Sequence, residues 1–404
     1  MRTYGPESPW RLDPTIIQLN HGAFGACPVP VLEAQAALRA RMEANPTRFF
    51  QPDLEELLAD ARAAVGTFID ADPESLAFLP NATTAVSTVL ASLRFKAGDE
   101  LLTTNHEYNA TLNALAEAAR RDGASVVVAR IPFPIAGPEE ALEAVLGAVT
   151  PRTRLALISH ATSPTGVILP IRDIVAELEG RGIDTLVDAA HAPGMVPLSV
   201  RELGAAYWTG NFHKWINTPK STAALSVRED RRAGIRPLVV SHGWNDLRAG
   251  RPAFRKEFDW LGTVDLTAYL SIGAAIEVMG GLLPGGWPAI MAANHELAVA
   301  GQTRLAEAFG IAAPAPPDMI GAMAAVPIPQ ATRSDAWARE LEVSLANEDH
   351  VQVPLPGWPV PAVRPSPGDP PDQVLVRIST QRYNELADVE ALVAAFARRG
   401  LARI

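Results

Sequence analysis

The chain has 404 residues, 48% hydrophobic and 20% charged, with a formal net charge of −10; that is material for a large and a small domain, and the wrong sign to draw nucleic acid or anionic membrane as a partner. A lone cysteine, Cys27, excludes an internal disulfide framework and favours a reducing, cytoplasmic setting. The opening MRTYGPESPW lacks the apolar core of a signal peptide, and no apolar run reaches the ~20 residues that span a bilayer.

In chain order, short apolar runs predict strands at 75–79, 100–103, 125–131, 155–159, 185–187, 206–209 and 223–227. Amphipathic stretches at 84–92, 109–121, 139–149 and 171–179 alternate with them and predict helices. Such alternation specifies an α/β fold with a mostly parallel sheet, covered by helices on both faces. A helical stretch at 266–279 bridges to a different pattern after Trp287. There a long helix at 289–308, a strand at 319–326, a helix at 335–345, a strand at 374–379 and a helix at 385–398 predict a smaller α+β domain. The expected division is 20–280 for the large domain, with 1–19 and 281–404 forming the small one. Proline clusters from Pro354 to Pro371, which excludes regular helix or strand and predicts a long loop, either plain surface or facing substrate.

In open α/β sheets ligands bind beyond the carboxyl ends of the strands. Asp188 ends the run IDTLVD, followed by His191 in DAAHAPG. Lys214 stands in TGNFHKWIN, just past the run AAYWTG. Taken singly, Asp188 could cap a helix and Lys214 could be solvated. Together, a strand delivering Asp and a second delivering Lys suit pyridoxal 5'-phosphate (PLP). The lysine amine carries the cofactor as a Schiff base and moves the Cα proton, while the aspartate keeps the pyridine nitrogen protonated. His191 would hydrogen-bond the phenolic oxygen.

Ala82, Thr83 and Thr84 open a helix after FLPN, where free N–H groups and hydroxyls form an anion site, although an ordinary helix cap explains the threonines equally. Tyr108, in NHEYN after ELLTT, could stack on the cofactor's ring or simply pack. Arg377, inside the strand VLVRIS, suits bidentate capture of a carboxylate or a structural ion pair. No metal site is expected.

Several segments together resemble one family: LNHGAFGACP, NATTAV, HEYNA, SHATSPTGVILP, VDAAHAPG, GNFHKW, FDWLGTVD and VRISTQRYN. In order and spacing, from about Leu19 onward, the chain is similar to class V aminotransferase-type proteins of the isopenicillin N epimerase-like branch. The resemblance implies fold type I of the PLP-dependent transferases (aspartate-aminotransferase-like), with Lys214 as Schiff-base lysine and Asp188 as ring-nitrogen partner. It implies phosphate contacts from Thr83, Thr84, Asn211 and His213, Ser163 near the phenolic oxygen, and a small amino-acid substrate bound at Arg377 beside His21 and Gly22. Thr263, in GTVD, matches a residue that reaches the neighbouring subunit's phosphate, so the resemblance implies a homodimer with shared sites.

Departures sharpen the reading. Cysteine desulfurases of this class carry a mobile cysteine upstream of the carboxylate-binding Arg, whereas residues 351–376 hold none. Tyr108 and His191 replace the His and Gln usual in desulfurases, and Asn211 replaces a common Ser. The leading expectation is epimerase-like chemistry at Cα, with Tyr108 or His21 as possible second acids. The alternatives are a β-eliminating C–S lyase on a cysteine derivative or sulfoxide, an aminotransferase, and a scaffold that has lost its cofactor.

Overall fold

The computed structural model describes residues 8–329, 334–364, 366 and 368–403. Most of the opening segment read for a signal peptide, and Pro365 and Pro367 of the proline-rich stretch, lie outside these residues. Twelve strands are described, beginning with β1 (Ile17–Gln18). β2 (Leu76–Leu79), β3 (Glu100–Thr104), β4 (Ser125–Ala129), β5 (Thr153–Ser159), β6 (Asp184–Asp188), β7 (Tyr207–Asn211) and β8 (Ala223–Val227) form one seven-stranded sheet in the order β2-β8-β7-β6-β5-β3-β4. All its neighbours pair in parallel except those of β8, which runs against β2 and β7. β2, β3, β7 and β8 are buried along their whole length, as expected of strands covered on both faces.

β9 (Met323–Pro327), β10 (Val351–Gln352), β11 (Gly357–Trp358) and β12 (Gln373–Ser379) complete the set. A three-stranded antiparallel sheet has the order β11-β12-β9, and β1 pairs with β10. The helix Gly286–Phe309 packs on this small sheet. Leu19 accepts the Ser379 N–H at 2.8 Å, which docks the start of the chain beside β12 and brings His21 and Gly22 toward Arg377.

Three expectations change. The single helix at 266–279 is two, Thr267–Leu270 and Ile272–Gly280, broken where the Ser271 hydroxyl turns back to the Thr267 carbonyl at 2.7 Å. The proline-rich stretch is not wholly irregular: Gly357–Trp358 adds an edge strand, and Trp358 buries its ring against His106 and Phe133. A turn at Pro361–Val363 then settles on the helix Asn109–Asp122, where Asn109 accepts the Ala362 N–H at 3.0 Å. Apolar anchors thus pin a segment whose prolines forbid longer regularity. Finally, the helices Val29–Ala44 and Leu54–Ile69 had no counterpart in the sequence reading.

Candidate active site

One cavity of about 390 Å³ opens at the carboxyl edge of the large sheet. Gly22, Ala82, Thr83, Tyr108, Ser163, Asp188, His191, Asn211, His213, Lys214 and Arg377 all line it. Tyr108 follows β3, Ser163 follows β5, Asp188 closes β6, Asn211 closes β7, and Arg377 arrives on β12 of the small sheet.

Lys214 is the centre of the electrostatics. Its Nζ lies 2.9 Å from His191 Nε2, and the Trp215 indole N–H points at His191 Nδ1 at 3.4 Å. An indole nitrogen only donates, so Nδ1 accepts and Nε2 carries the hydrogen. His191 therefore donates to Lys214, whose lone pair accepts, and the pair is wired for a neutral amine. Burial drives the same way: it pulls the Lys214 ammonium down to about 7, with Asp188 opposing and Arg377 adding to the shift. Burial, reinforced by Lys214, also holds the His191 imidazole well below its ordinary range. Asp188 is buried, accepts the Ala190 N–H at 3.1 Å, and is pushed upward by burial while Lys214 pulls it back.

At the other end Asn81 caps the helix Ala82–Ser92 by accepting the Thr84 N–H at 2.8 Å and its hydroxyl at 3.0 Å. That commits Thr84 to the cap and removes it from the cavity lining, a correction to its expected phosphate contact. Asn211 Oδ1 accepts the Ala82 N–H at 2.8 Å, so Asn211 offers the cavity its amide donors only. The Thr83 hydroxyl makes no hydrogen bond among the described residues. His213 Nδ1 donates to the Thr222 carbonyl at 3.1 Å, leaving Nε2 free, and burial brings this imidazole down to about 4. The Thr83 hydroxyl and the Asn211 amide are donors at a helix start and fit a phosphate, whereas the free Nε2 of a neutral His213 carries a lone pair.

Arg377 is buried, donating to the Ser163 carbonyl at 2.5 Å, to the Ser163 hydroxyl at 3.3 Å and to Asn20 Oδ1 at 3.4 Å. Its Nε has no partner, and among the described residues no carboxylate forms an ion pair with it. Burial brings the guanidinium down to about 10. An unpaired buried guanidinium is costly, and an arriving carboxylate relieves that cost. The Glu342 carboxylate supports the guanidinium's charge electrostatically but makes no ion pair with it at contact distance.

One further expectation is corrected. His21 lies beneath the cavity rather than in it: Nδ1 meets the Tyr383 hydroxyl at 2.8 Å and Nε2 meets the Lys214 carbonyl at 3.0 Å, so neither nitrogen is free for substrate or for a second proton transfer. Thr263 is exposed on a loop and does not line this cavity. None of the described residues of the proline-rich loop lines the cavity, so its substrate-facing reading is not supported.

The sequence reading missed Asn20, Phe24, Ser159 and Glu107. Glu107 follows an apolar strand just as Asp188 does, so the same signal was present one residue before Tyr108. A larger cleft of about 780 Å³ lies between Phe50–Leu58 and the segment 242–260, but its Arg248 and Arg251 are matched by Asp246 and Asp259. Among the described residues no cluster of His, Cys, Asp and Glu is arranged to hold a metal, and no helix is long and apolar enough to cross a membrane.

Comparison with known proteins gives the family and the fold. The family model for aminotransferase class V matches residues 19–392. The chain is 34% identical to an isopenicillin N epimerase of Amycolatopsis lactamdurans, covering 95% of each protein. It is 33% identical to a putative L-cysteine desulfhydrase of Oryza sativa subsp. japonica, covering 93% of this chain and 82% of the relative. A variant of C-DES solved with glycine covalently linked to its PLP cofactor superposes with a TM-score of 0.77 at 21% identity, over 95% of this chain and 96% of that one, which shows the fold.

Proposed function

The chain belongs to the class V aminotransferase family, and on that premise we propose that it is a PLP enzyme acting at the Cα of a small amino acid, with epimerase-like chemistry. Its cofactor is pyridoxal 5'-phosphate. When bound, the cofactor supplies an electron sink for negative charge left at Cα.

The observation that carries the reading is the pairing, across one cavity, of a lysine wired as a free amine with a buried arginine that lacks an anion. Arg377 holds the substrate carboxylate and orients the Cα–H. Lys214, having no proton of its own to shed, can take the Cα proton and return it. Asp188 would keep a proton on the ring nitrogen; Thr83 and Asn211 would donate to the phosphate, with His213 lining the cavity beside them. His191 and Ser163 serve the phenolic oxygen, and Tyr108, at the cavity mouth, covers a face of the ring. Tyr108 also remains the candidate for a second acid, since His21 has both nitrogens engaged.

We assign Thr263 to the neighbouring subunit's phosphate and the chain to a homodimer. Leu238, Val239, Val240, Trp244 and Leu247, each more than half exposed in one chain and close together along the segment 238–247, support this.

A second reading, β-elimination at a C–S bond, has its own support. The chain is 33% identical, over 93% of its length, to a putative L-cysteine desulfhydrase, which favours a cysteine-type substrate as much as the epimerase relative favours inversion. One experiment separates the two. The holoenzyme is incubated in D2O with single-handed amino acids while Cα deuteration, inversion, and pyruvate with sulfide are followed. Deuteration with inversion supports the epimerase; pyruvate and sulfide from cysteine support the lyase. Absence of both Cα exchange and pyruvate, with every amino acid, removes both readings.

A further inference from the structure

Two carboxyl groups converge beneath the cavity from different strands. Asp188 closes β6, and its register partner on β5 is Ser159, which also lines the cavity. Glu107, in the turn after β3, reaches that same serine. Its Oε1 accepts the Ser159 N–H at 2.9 Å and the Thr104 hydroxyl at 3.0 Å, and its Oε2 is paired with the Ser159 hydroxyl. The Glu107 side chain is wholly buried. Among the described residues no lysine, arginine or histidine pairs with it.

Like charges in one buried site cannot both ionise cheaply, and the member nearer a cation keeps the charge. Asp188 opens onto the cavity, where the cofactor's protonated ring nitrogen would be its cation, so the negative charge belongs there. Burial pushes the Glu107 carboxyl up to about 8, hydrogen bonds from Ser159 and Thr104 oppose it, and Asp188 adds to the rise. Hydrogen-bond arithmetic permits it: with Oε2 protonated, the Ser159 hydroxyl, which donates to an ionised Oε2, accepts instead, and the serine's own hydrogen is then free to turn into the cavity.

We propose that Glu107 is a positioning residue: a neutral carboxylic acid that donates to Ser159 Oγ, fixes the carboxyl end of β5, and leaves Asp188 to carry the negative charge that the cofactor's ring nitrogen needs. The last part rests on the cofactor reading; the protonation of Glu107 does not.

The test compares full-length wild type with Glu107→Gln, Glu107→Ala and Ser159→Ala. Infrared difference spectra, wild type minus Glu107→Gln at pH 7 with and without PLP, should show a carboxylic-acid C=O band present only in wild type. Loss of an ionised carboxylate band instead overturns the proposal. In PLP titrations Glu107→Gln, which keeps two acceptor contacts and one donor, should bind within about threefold of wild type, whereas Glu107→Ala should bind at least ~10-fold more weakly because the serine and threonine donors lose their partner. Equal weakening by Gln and Ala, or none by Ala, overturns it. If Glu107→Ala does not fold, Ser159→Ala takes its place with the same expected loss. Failure of wild type to bind PLP would remove the functional reading, and the infrared result would still decide the state of Glu107.

Discussion

His21 Nε2 stands 3.0 Å from the Lys214 carbonyl, and its Nδ1 stands 2.8 Å from the Tyr383 hydroxyl. A carbonyl only accepts, so Nε2 carries the hydrogen and Nδ1 takes one from Tyr383. The imidazole is a neutral bridge between the segment that follows Arg377 and the backbone of the lysine. Tyr383→Phe leaves Nδ1 buried without a donor and should cost about 1–3 kcal/mol in a urea melt. An unchanged midpoint would show that the bridge does not hold the fold.

Acid should unfold the protein through its buried imidazoles. Burial holds His21 at about 3, and His106 and His160 at about 4, against an ordinary value of 6.5. Between those values the unfolded chain binds protons that the folded chain refuses, so stability rises with pH there and is lost as pH falls from about 6.5 toward 4. Urea midpoints at successive pH values should fall across that window. A flat profile would mean that these rings accept protons in the fold.

Lys214→Ala should abolish turnover and the visible absorption of the bound cofactor, since no other lysine lines the cavity. In wild type, the rate of PLP capture should rise as pH climbs through about 7 and then level, because the free amine is the nucleophile and burial lowers its proton affinity. Capture that keeps climbing toward pH 10 would mean an ordinary, solvated lysine.

Arg377→Ala should raise the substrate KM roughly 10–150-fold, the cost of about 1.5–3 kcal/mol for a hydrogen bond to a charged group, with PLP still attached. Spectroscopic titration with substrate analogues measures it. Loss of the cofactor together with the guanidinium would assign Arg377 to structure instead.

Gly25 has φ +68°, and a Cβ there would collide with the His213 carbonyl and come within 2.9 Å of the Lys214 carbonyl. Gly25→Ala should therefore destabilise by more than about 1 kcal/mol and weaken PLP binding, because the backbone carrying Lys214 must move. Thermal melts with and without PLP check both effects. A variant that matches wild type in both would show that this segment yields freely.

What the sequence determined by itself was the periodic part. Apolar runs alternating with amphipathic stretches specified the seven-stranded sheet to within a few residues, since burial on both faces leaves few other ways to write such strands. The same rule marked Asp188 and Lys214, because ionisable groups just past buried strands stand where ligands bind. The tertiary structure alone decided which donors were still free. Thr84 is spent on Asn81, and His21 is spent on Tyr383 and Lys214. Arg377 keeps an unpartnered Nε, and Glu107 reaches Ser159 across strands far apart in sequence. Hydrogen bonds saturate between groups that meet only in space, so spacing along a chain cannot say which are already taken.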